Sequence, residues 1–316
     1  MTDGKPKRLL IDTDPGVDDS MAILLAFASP EVEIEGLSTV FGNVGVNLTT
    51  QNALRLVELA GRPDIPVARG AEKPLLRPFT GKGWEVHGRN GLGEAEFPEP
   101  KGTPDPRRAA QFIIDTIMVH PGEITLVPLG PLTNVALAVA TEPRIAENVR
   151  EVVLMGGAAN VAGNASPVAE ANIRNDPESA YVVFHAGWPL TMVGLDVTEK
   201  TVMTPEYLEE LSRANNPWTD FIASITPHYL SFSKRWGMNG FPVHDSSALA
   251  YVIDPTLFET RQAYVDVDYH SPYHAGNTVP DWRGQREMEP NVNVCVDVDS
   301  ERFLELYRQR LSGVQA

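Results

Sequence analysis

A single cysteine, Cys295, stands among 316 residues, so no intrachain disulfide can form and an intracellular, cytoplasmic setting is expected. Within "NVNVCVDVD" it alternates like a strand residue and reads as core. Basic residues are scarce: 26 Lys and Arg oppose 42 Asp and Glu, for a formal net charge of −16. Nucleic-acid binders usually present a basic face, and anionic membranes attract clusters of Lys and Arg. Neither partner is expected. Long apolar runs are missing as well. "MAILLAFA" falls far short of the roughly 20 residues that span a bilayer, and "MTDGKPKRLL" has no stretch apolar enough for a signal peptide. No repeat or low-complexity segment is present.

What remains is ordinary globular material, 42% hydrophobic and 22% charged, enough for a large core. β-Branched runs alternate with segments of helical period. "RLLID" precedes the helix "DDSMAILLAFA", and "VEIEGLSTVFG" precedes "LTTQNALRLVELAG". "ITLVPLG" leads to "LTNVALAVA", "EVVLMGGA" precedes "DPESAYVVFHAG", and "LTMVGLDVT" follows as a further strand. This alternation predicts an α/β fold, a mostly parallel, Rossmann-like open sheet with helices on both faces. The Pro/Gly-rich stretch 71–106 reads as loops, and 205–255 as helical and aromatic. The tail adds strands in "TRQAYVDVDY" and "NVNVCVDVD" and a final amphipathic helix, "SERFLELYRQRL". One domain over 1–316 is expected.

Ligands of open parallel sheets gather at the carboxyl ends of the strands, and polar and glycine-rich segments recur there. The first is the densest. In "KRLLIDTDPGVDDSMAILLAF" four aspartates, Asp12, Asp14, Asp18 and Asp19, fall within eight positions between two apolar segments. Carboxylates this close repel one another unless a cation or shared protons compensate. An EF-hand loop counted from Asp12 needs Gly sixth and Glu twelfth, where this chain has Val17 and Ile23. A phosphatase of the dehalogenase type also begins with Asp-x-Asp but continues differently, without Pro15-Gly16. Helix capping by Asp18 and Asp19 is physically sound and accounts for two of the four.

Further along come "FGN" with Asn43, "EVHGRNGLG" with His87 in a glycine-rich loop, "LVPLGPLTN", "LMGGA", "GNASPVAEAN", "GLDVT" with Asp196, and "VHDSSALAY" with His244 and Asp245. In this order, over about residues 8–310, they resemble the inosine–uridine preferring nucleoside hydrolase family. The resemblance implies a Ca²⁺ held by the carboxylates of Asp14, Asp19 and Asp245 and by the backbone carbonyl of Leu129. Oxygen-only donors suit Ca²⁺, whereas Zn²⁺ prefers His or Cys and Mg²⁺ stricter geometry. It further implies that a water acidified by the ion gives its proton to Asp14 as general base and attacks the ribose anomeric carbon.

By the same match Asp18, Asn43 and Asn172 bind ribose hydroxyls, Asn164 and Glu170 the 5′ side, and Met155 packs beside the sugar. His244 is placed near the leaving base, and His87 on a loop that closes over substrate. Trp84, His228, Tyr229, Phe232 and Trp236 are candidates for base contact. The implied partner is a small-molecule ribonucleoside, the implied role purine or pyrimidine salvage, and the implied assembly a homodimer or homotetramer. Alternatives are hydrolysis of a modified nucleoside and non-catalytic nucleoside binding. A phosphorylase would need a phosphate cradle, and no matched site position is Arg or Lys.

Overall fold

The computed structural model describes residues 5–314. Residues 1–4, where the segment inspected for a signal peptide begins, and 315–316 lie outside the described residues. The main sheet is formed by β1 (Lys7–Thr13), β2 (Val32–Thr39), β3 (Val67–Arg69), β4 (Ile124–Pro128), β5 (Glu151–Met155) and β6 (Leu190–Val193). After a two-stranded pair, β7 (Val202–Met203) with β8 (Phe241–Pro242), come β9 (Phe258–Asp268), β10 (Asn277–Asp281) and β11 (Val292–Val298). The order across the main sheet is β10-β9-β11-β6-β5-β4-β1-β2-β3. From β11 through β3 neighbours run parallel, and only β9 pairs antiparallel, with β11 and with β10.

Successive residues of β1 point to opposite faces, as a strand requires. Leu9 and Ile11 enter one apolar core with the helix Val17–Phe27, while Leu10 enters the other with Phe112 and Leu126. Each such fully buried leucine stabilises by about 2 kcal/mol. Covering both faces explains why β1 reads as a continuous apolar run instead of alternating. Cys295 is fully buried in β11, and burial pushes its thiol up, which makes it unreactive.

Two elements differ from the sequence reading. "LTMVGLDVT" is not one strand: β6 stops at Val193 and a one-turn helix, Leu195–Thr198, follows. Gly194 makes the turn possible, because a Cβ there would lie 2.7 Å from the carbonyl oxygen of Gly157. The edge strand β10 is absent from the sequence pattern, since Asn277, Pro280 and Asp281 dilute it. No helix among the described residues is long and apolar enough to cross a membrane.

The chain enters the sheet at β1, proceeds outward to β3, then returns to lay β4 on the other side of β1. The strand order reverses between β1 and β4, which opens a crevice at their carboxyl ends. The aspartate segment follows β1 directly and so lies at that crevice.

Candidate active site

Pro15 and Gly16 stop β1 and start the next helix at once. Gly16 is the helix N-cap, and a Cβ on it would lie 2.6 Å from both Asn43 Nδ2 and His87 Nδ1. The Gly16 backbone N–H donates to Asp19 Oδ2 at 3.0 Å. Asp19 therefore caps its own helix, as one reading of the sequence expected, and the helix dipole favours both anions of the first turn. Its Oδ1 accepts from Thr13 Oγ1 at 2.5 Å and from the Asp14 N–H at 3.1 Å.

Asp245 arrives from the first turn of the distant helix His244–Ile253. Asp18, Asp19 and Asp245, all buried, each bring an oxygen within 4.8 Å of the other two. Asp14 stands beside them, equally buried, and its Oδ2 accepts the Asn43 N–H at 2.7 Å. Burial, then the charge of Asp19, pushes Asp14 well above the usual carboxylate range. Burial and the charges of Asp18, Asp19 and Asp14 do the same to Asp245. Burial also raises Asp18 and Asp19.

The donor set fits a hard dication. Asp18 Oδ1 is buried with no hydrogen-bond partner among the described residues. Its nearest basic group, His87 Nδ1 at 3.5 Å, already accepts the Val17 backbone N–H at 3.2 Å. A nitrogen that accepts carries no proton to give. A buried, unpaired carboxylate is costly, and a cation bound by oxygen donors relieves it. Among the expected ligands, the Leu129 carbonyl accepts Asn172 Nδ2 at 2.6 Å; its second lone pair stays open.

Both expected histidines are present, with a correction to one. His87 ends the short helix Trp84–His87 instead of lying in a loop, and it is buried. Burial pushes it down to about 4. His244 is half-buried, its Nδ1 2.8 Å from Thr198 Oγ1, and burial with the neighbouring His87 pushes it to about 4. At neutral pH each is an uncharged imidazole. A bound cation would push both further in the same direction.

Among the expected sugar-binding residues, Asn43 also organises the carboxylates, its Nδ2 reaching Asp19 Oδ2 at 2.8 Å. Asn172 Nδ2 spans Leu129 O, Met155 O and Met155 Sδ. Glu170 caps the helix Ala171–Asn175 by accepting the N–H groups of Asn172 and Ile173, and it also accepts that of Gly157. Burial pushes Glu170 up to about 7. Asn164 is exposed and accepts the Ala171 N–H.

Of the base-contact candidates, Tyr229 borders the carboxylates. It is buried, stacked on Phe241 (4.6 Å, 12°) and edge-on to His87 (5.4 Å). Burial and then the charges of Asp18, Asp245 and Asp19 push its phenol up. His228 Nε2 lies 3.2 Å from Glu85 O, tying the helix Pro217–Arg235 to the segment of His87. Trp84 is 44% exposed, whereas Phe232 and Trp236 contact one another and Trp236 is 73% exposed.

Two arrangements are not legible in the sequence. Asp12, one of the four crowded aspartates, is held by Ser38 Oγ and Asn134 Nδ2, which donate to its Oδ1 at 2.6 and 2.8 Å. Burial pushes it up to about 7. Gly42 and Gly130 clasp Asp14: a Cβ on Gly42 would strike its Oδ2, and one on Gly130 its Oδ1. Gly42→Ala is therefore expected to shift the Asp14 carboxylate and lower turnover about 100-fold, as misplacement near 1 Å does. Gly45→Ala, whose Cβ meets nothing within 4 Å, is the control that keeps wild-type rate. Equal rates in both variants would show that Asp14 is not held this way.

Residues 9–305 match the family model for inosine-uridine preferring nucleoside hydrolase. The chain is 41% identical to the inosine-uridine preferring nucleoside hydrolase of Crithidia fasciculata over 313 residues, covering 98% of each. It is 39% identical to a pyrimidine-specific ribonucleoside hydrolase of Citrobacter koseri, covering 96% of this chain and 97% of that one. Among solved structures, a purine-preferring ribonucleoside hydrolase from Gardnerella vaginalis superposes with a TM-score of 0.93 at 35% identity, covering 97% and 98%.

Proposed function

The chain belongs to the inosine-uridine preferring nucleoside hydrolase family, and on that premise we propose that it hydrolyses the N-glycosidic bond of ribonucleosides with Ca²⁺, releasing free base and ribose. The observation that carries the reading is the buried trio Asp18, Asp19 and Asp245 with the unpaired Asp18 Oδ1. Asp14, Asp19, Asp245 and the Leu129 carbonyl, joined by Asp18, are the groups that would hold the ion. When bound, it compensates the carboxylates and supplies Lewis acidity that lowers the pKa of water at the site.

The protein's own groups do the rest. Asp14 is the general base: it is buried beside the trio with its Oδ2 fixed by the Asn43 N–H at 2.7 Å, and an ion compensating the cluster would keep it ionised and able to accept a proton. It takes one proton from the attacking water as the new C1′–O bond forms and the C1′–N bond breaks. Departure of the base leaves oxocarbenium character on the ribose. Asp18, Asn43 and Asn172 hold the sugar hydroxyls, Asn164 and Glu170 the 5′ side, and Met155 the flank. This anchoring fixes the angle of attack, an orientation effect worth several orders of magnitude in rate. His244, neutral at pH 7, serves the leaving base as a hydrogen-bond donor.

Relatives at similar identity carry names with opposite base preferences, pyrimidine-specific and purine-preferring. Base choice is therefore read from products. Inosine, adenosine, guanosine, uridine and cytidine are incubated with the enzyme and Ca²⁺ in phosphate-free buffer, and products are separated by chromatography. Free base and ribose are expected from at least one of the five. No release from any would overturn the proposal.

A further inference from the structure

Thr198 closes the one-turn helix Leu195–Thr198 and is fully buried. Its Oγ1 lies 2.8 Å from His244 Nδ1, the only hydrogen-bond partner of that hydroxyl among the described residues. A buried hydroxyl must place its proton somewhere, and Nδ1 is the one acceptor in reach. The opposite arrangement, with Nδ1–H donating to Oγ1, would strand the hydroxyl proton in the interior. Nδ1 therefore accepts, and the imidazole carries its proton on Nε2.

Nothing in the protein takes that Nε2–H: among the described residues His244 has no hydrogen bond through Nε2, and the side chain is only half-buried. The pairing is held rigidly on both sides. The Thr198 N–H donates to Gly194 O at 3.1 Å, and its carbonyl accepts Thr201 Oγ1 at 2.9 Å. Thr201 Oγ1 meets Ser247 Oγ at 3.1 Å, and Thr201 O accepts the Val243 N–H at 2.9 Å. These contacts pin the short helix to the turn that bears His244.

We infer that Thr198 is a positioning residue that selects the Nε2–H tautomer of His244, so that a donor faces the departing base. The inference rests on the nucleoside hydrolase reading above. The imidazole gives a hydrogen bond to the base atom that receives the electron pair of the breaking C1′–N bond. The base leaves as its anion and takes a proton from solvent afterwards, which balances the proton that Asp14 has taken from water; the hydrogen bond itself moves no proton off Nε2. A histidine held in the other tautomer would point a lone pair at that growing negative charge.

The test is steady-state kinetics of the Ca²⁺-loaded enzyme on the best nucleoside and on 4-nitrophenyl riboside, whose leaving group departs as a stable anion without a donor. Thr198→Val keeps the side-chain shape and removes the hydroxyl. On the nucleoside its kcat is expected to fall about tenfold or more, with KM changed less than about threefold. Thr198→Ser should recover to within about threefold, and Thr198→Ala should repeat the valine pattern if valine folds poorly. The nitrophenyl substrate should be cleaved at the wild-type rate by all three. In a His244→Ala background, Thr198→Val should add nothing further, because both changes remove the same donor.

Wild-type kcat in Thr198→Val on the nucleoside would overturn the inference. So would an equal loss on both substrates, or an additive loss in the double variant, since either marks a merely structural role. Failure of the wild-type enzyme on every nucleoside would instead overturn the reading on which it rests.

Discussion

Asp14→Asn is expected to lower turnover of every accepted nucleoside by about 10³-fold or more, in the upper range for loss of a general base. The amide preserves volume, and its oxygen can still accept the Asn43 N–H, which now reaches Asp14 Oδ2 at 2.7 Å. The change therefore removes charge and basicity with little disturbance of packing. Asp14→Ala should go further and lose bound metal together with turnover. Elemental analysis after gel filtration measures the ion, and a coupled reducing-sugar assay measures ribose. Full activity in either variant would sink the role given to Asp14.

Stripping the cation with a chelator should abolish hydrolysis and destabilise the fold, more severely as pH rises. The sign follows from the carboxyls. Burial raises Asp14, Asp18, Asp19 and Asp245, and it raises Asp12 and Glu170 to about 7. A carboxyl with a raised folded pKa contributes stability below its unfolded value near 4, and that contribution is lost as pH rises through the folded value. The metal-free protein should therefore lose stability progressively between about pH 4 and pH 7. The ion reverses this for the cluster, because it stabilises the charged forms. At about 1,000 times its Kd a ligand adds about 4 kcal/mol, or about 6 °C of Tm in a chain of this size. Scanning calorimetry at pH 5 and pH 8, with chelator and then with excess Ca²⁺, should give a larger rise at pH 8. Zn²⁺ should restore activity poorly, since no thiolate stands in the cluster and the Nδ1 atoms of its two histidines are already engaged, that of His87 by the Val17 N–H and that of His244 by Thr198. A Tm indifferent to chelator at both values would rule out a cation at the carboxylates.

Much of this was legible in the chain itself, and the reason is physical range. Strand–helix alternation is a local signal, so the parallel sheet and its covering helices followed from periods of two and 3.6 residues. Asp14, Asp18 and Asp19 lie within six residues, and crowding of charge between apolar segments is visible without any fold. The capping role of Asp19 was equally local, because it depends on a partner three residues away. Where local signals were mixed the reading slipped. "GLDVT" continued a strand pattern yet folds into a helical turn, forced by the approach of Gly194 to Gly157.

Tertiary structure alone decided the contacts that cross the sequence. Asp245 joins Asp18 and Asp19 because the helix Val17–Phe27 packs beside the helix His244–Ile253. His87 reaches the Val17 N–H across 70 positions, and Thr198 reaches His244 across 46. Tyr229 comes to border the carboxylates, whereas Trp236 stays exposed. The sequence by itself determined which chemistry is possible here, since residue type and short spacing specify acids, caps and periods. Which nitrogen of His244 holds the proton, and which carboxylate lacks a partner, depended on long-range packing, because a hydrogen bond is settled only when both of its ends have been brought to one place.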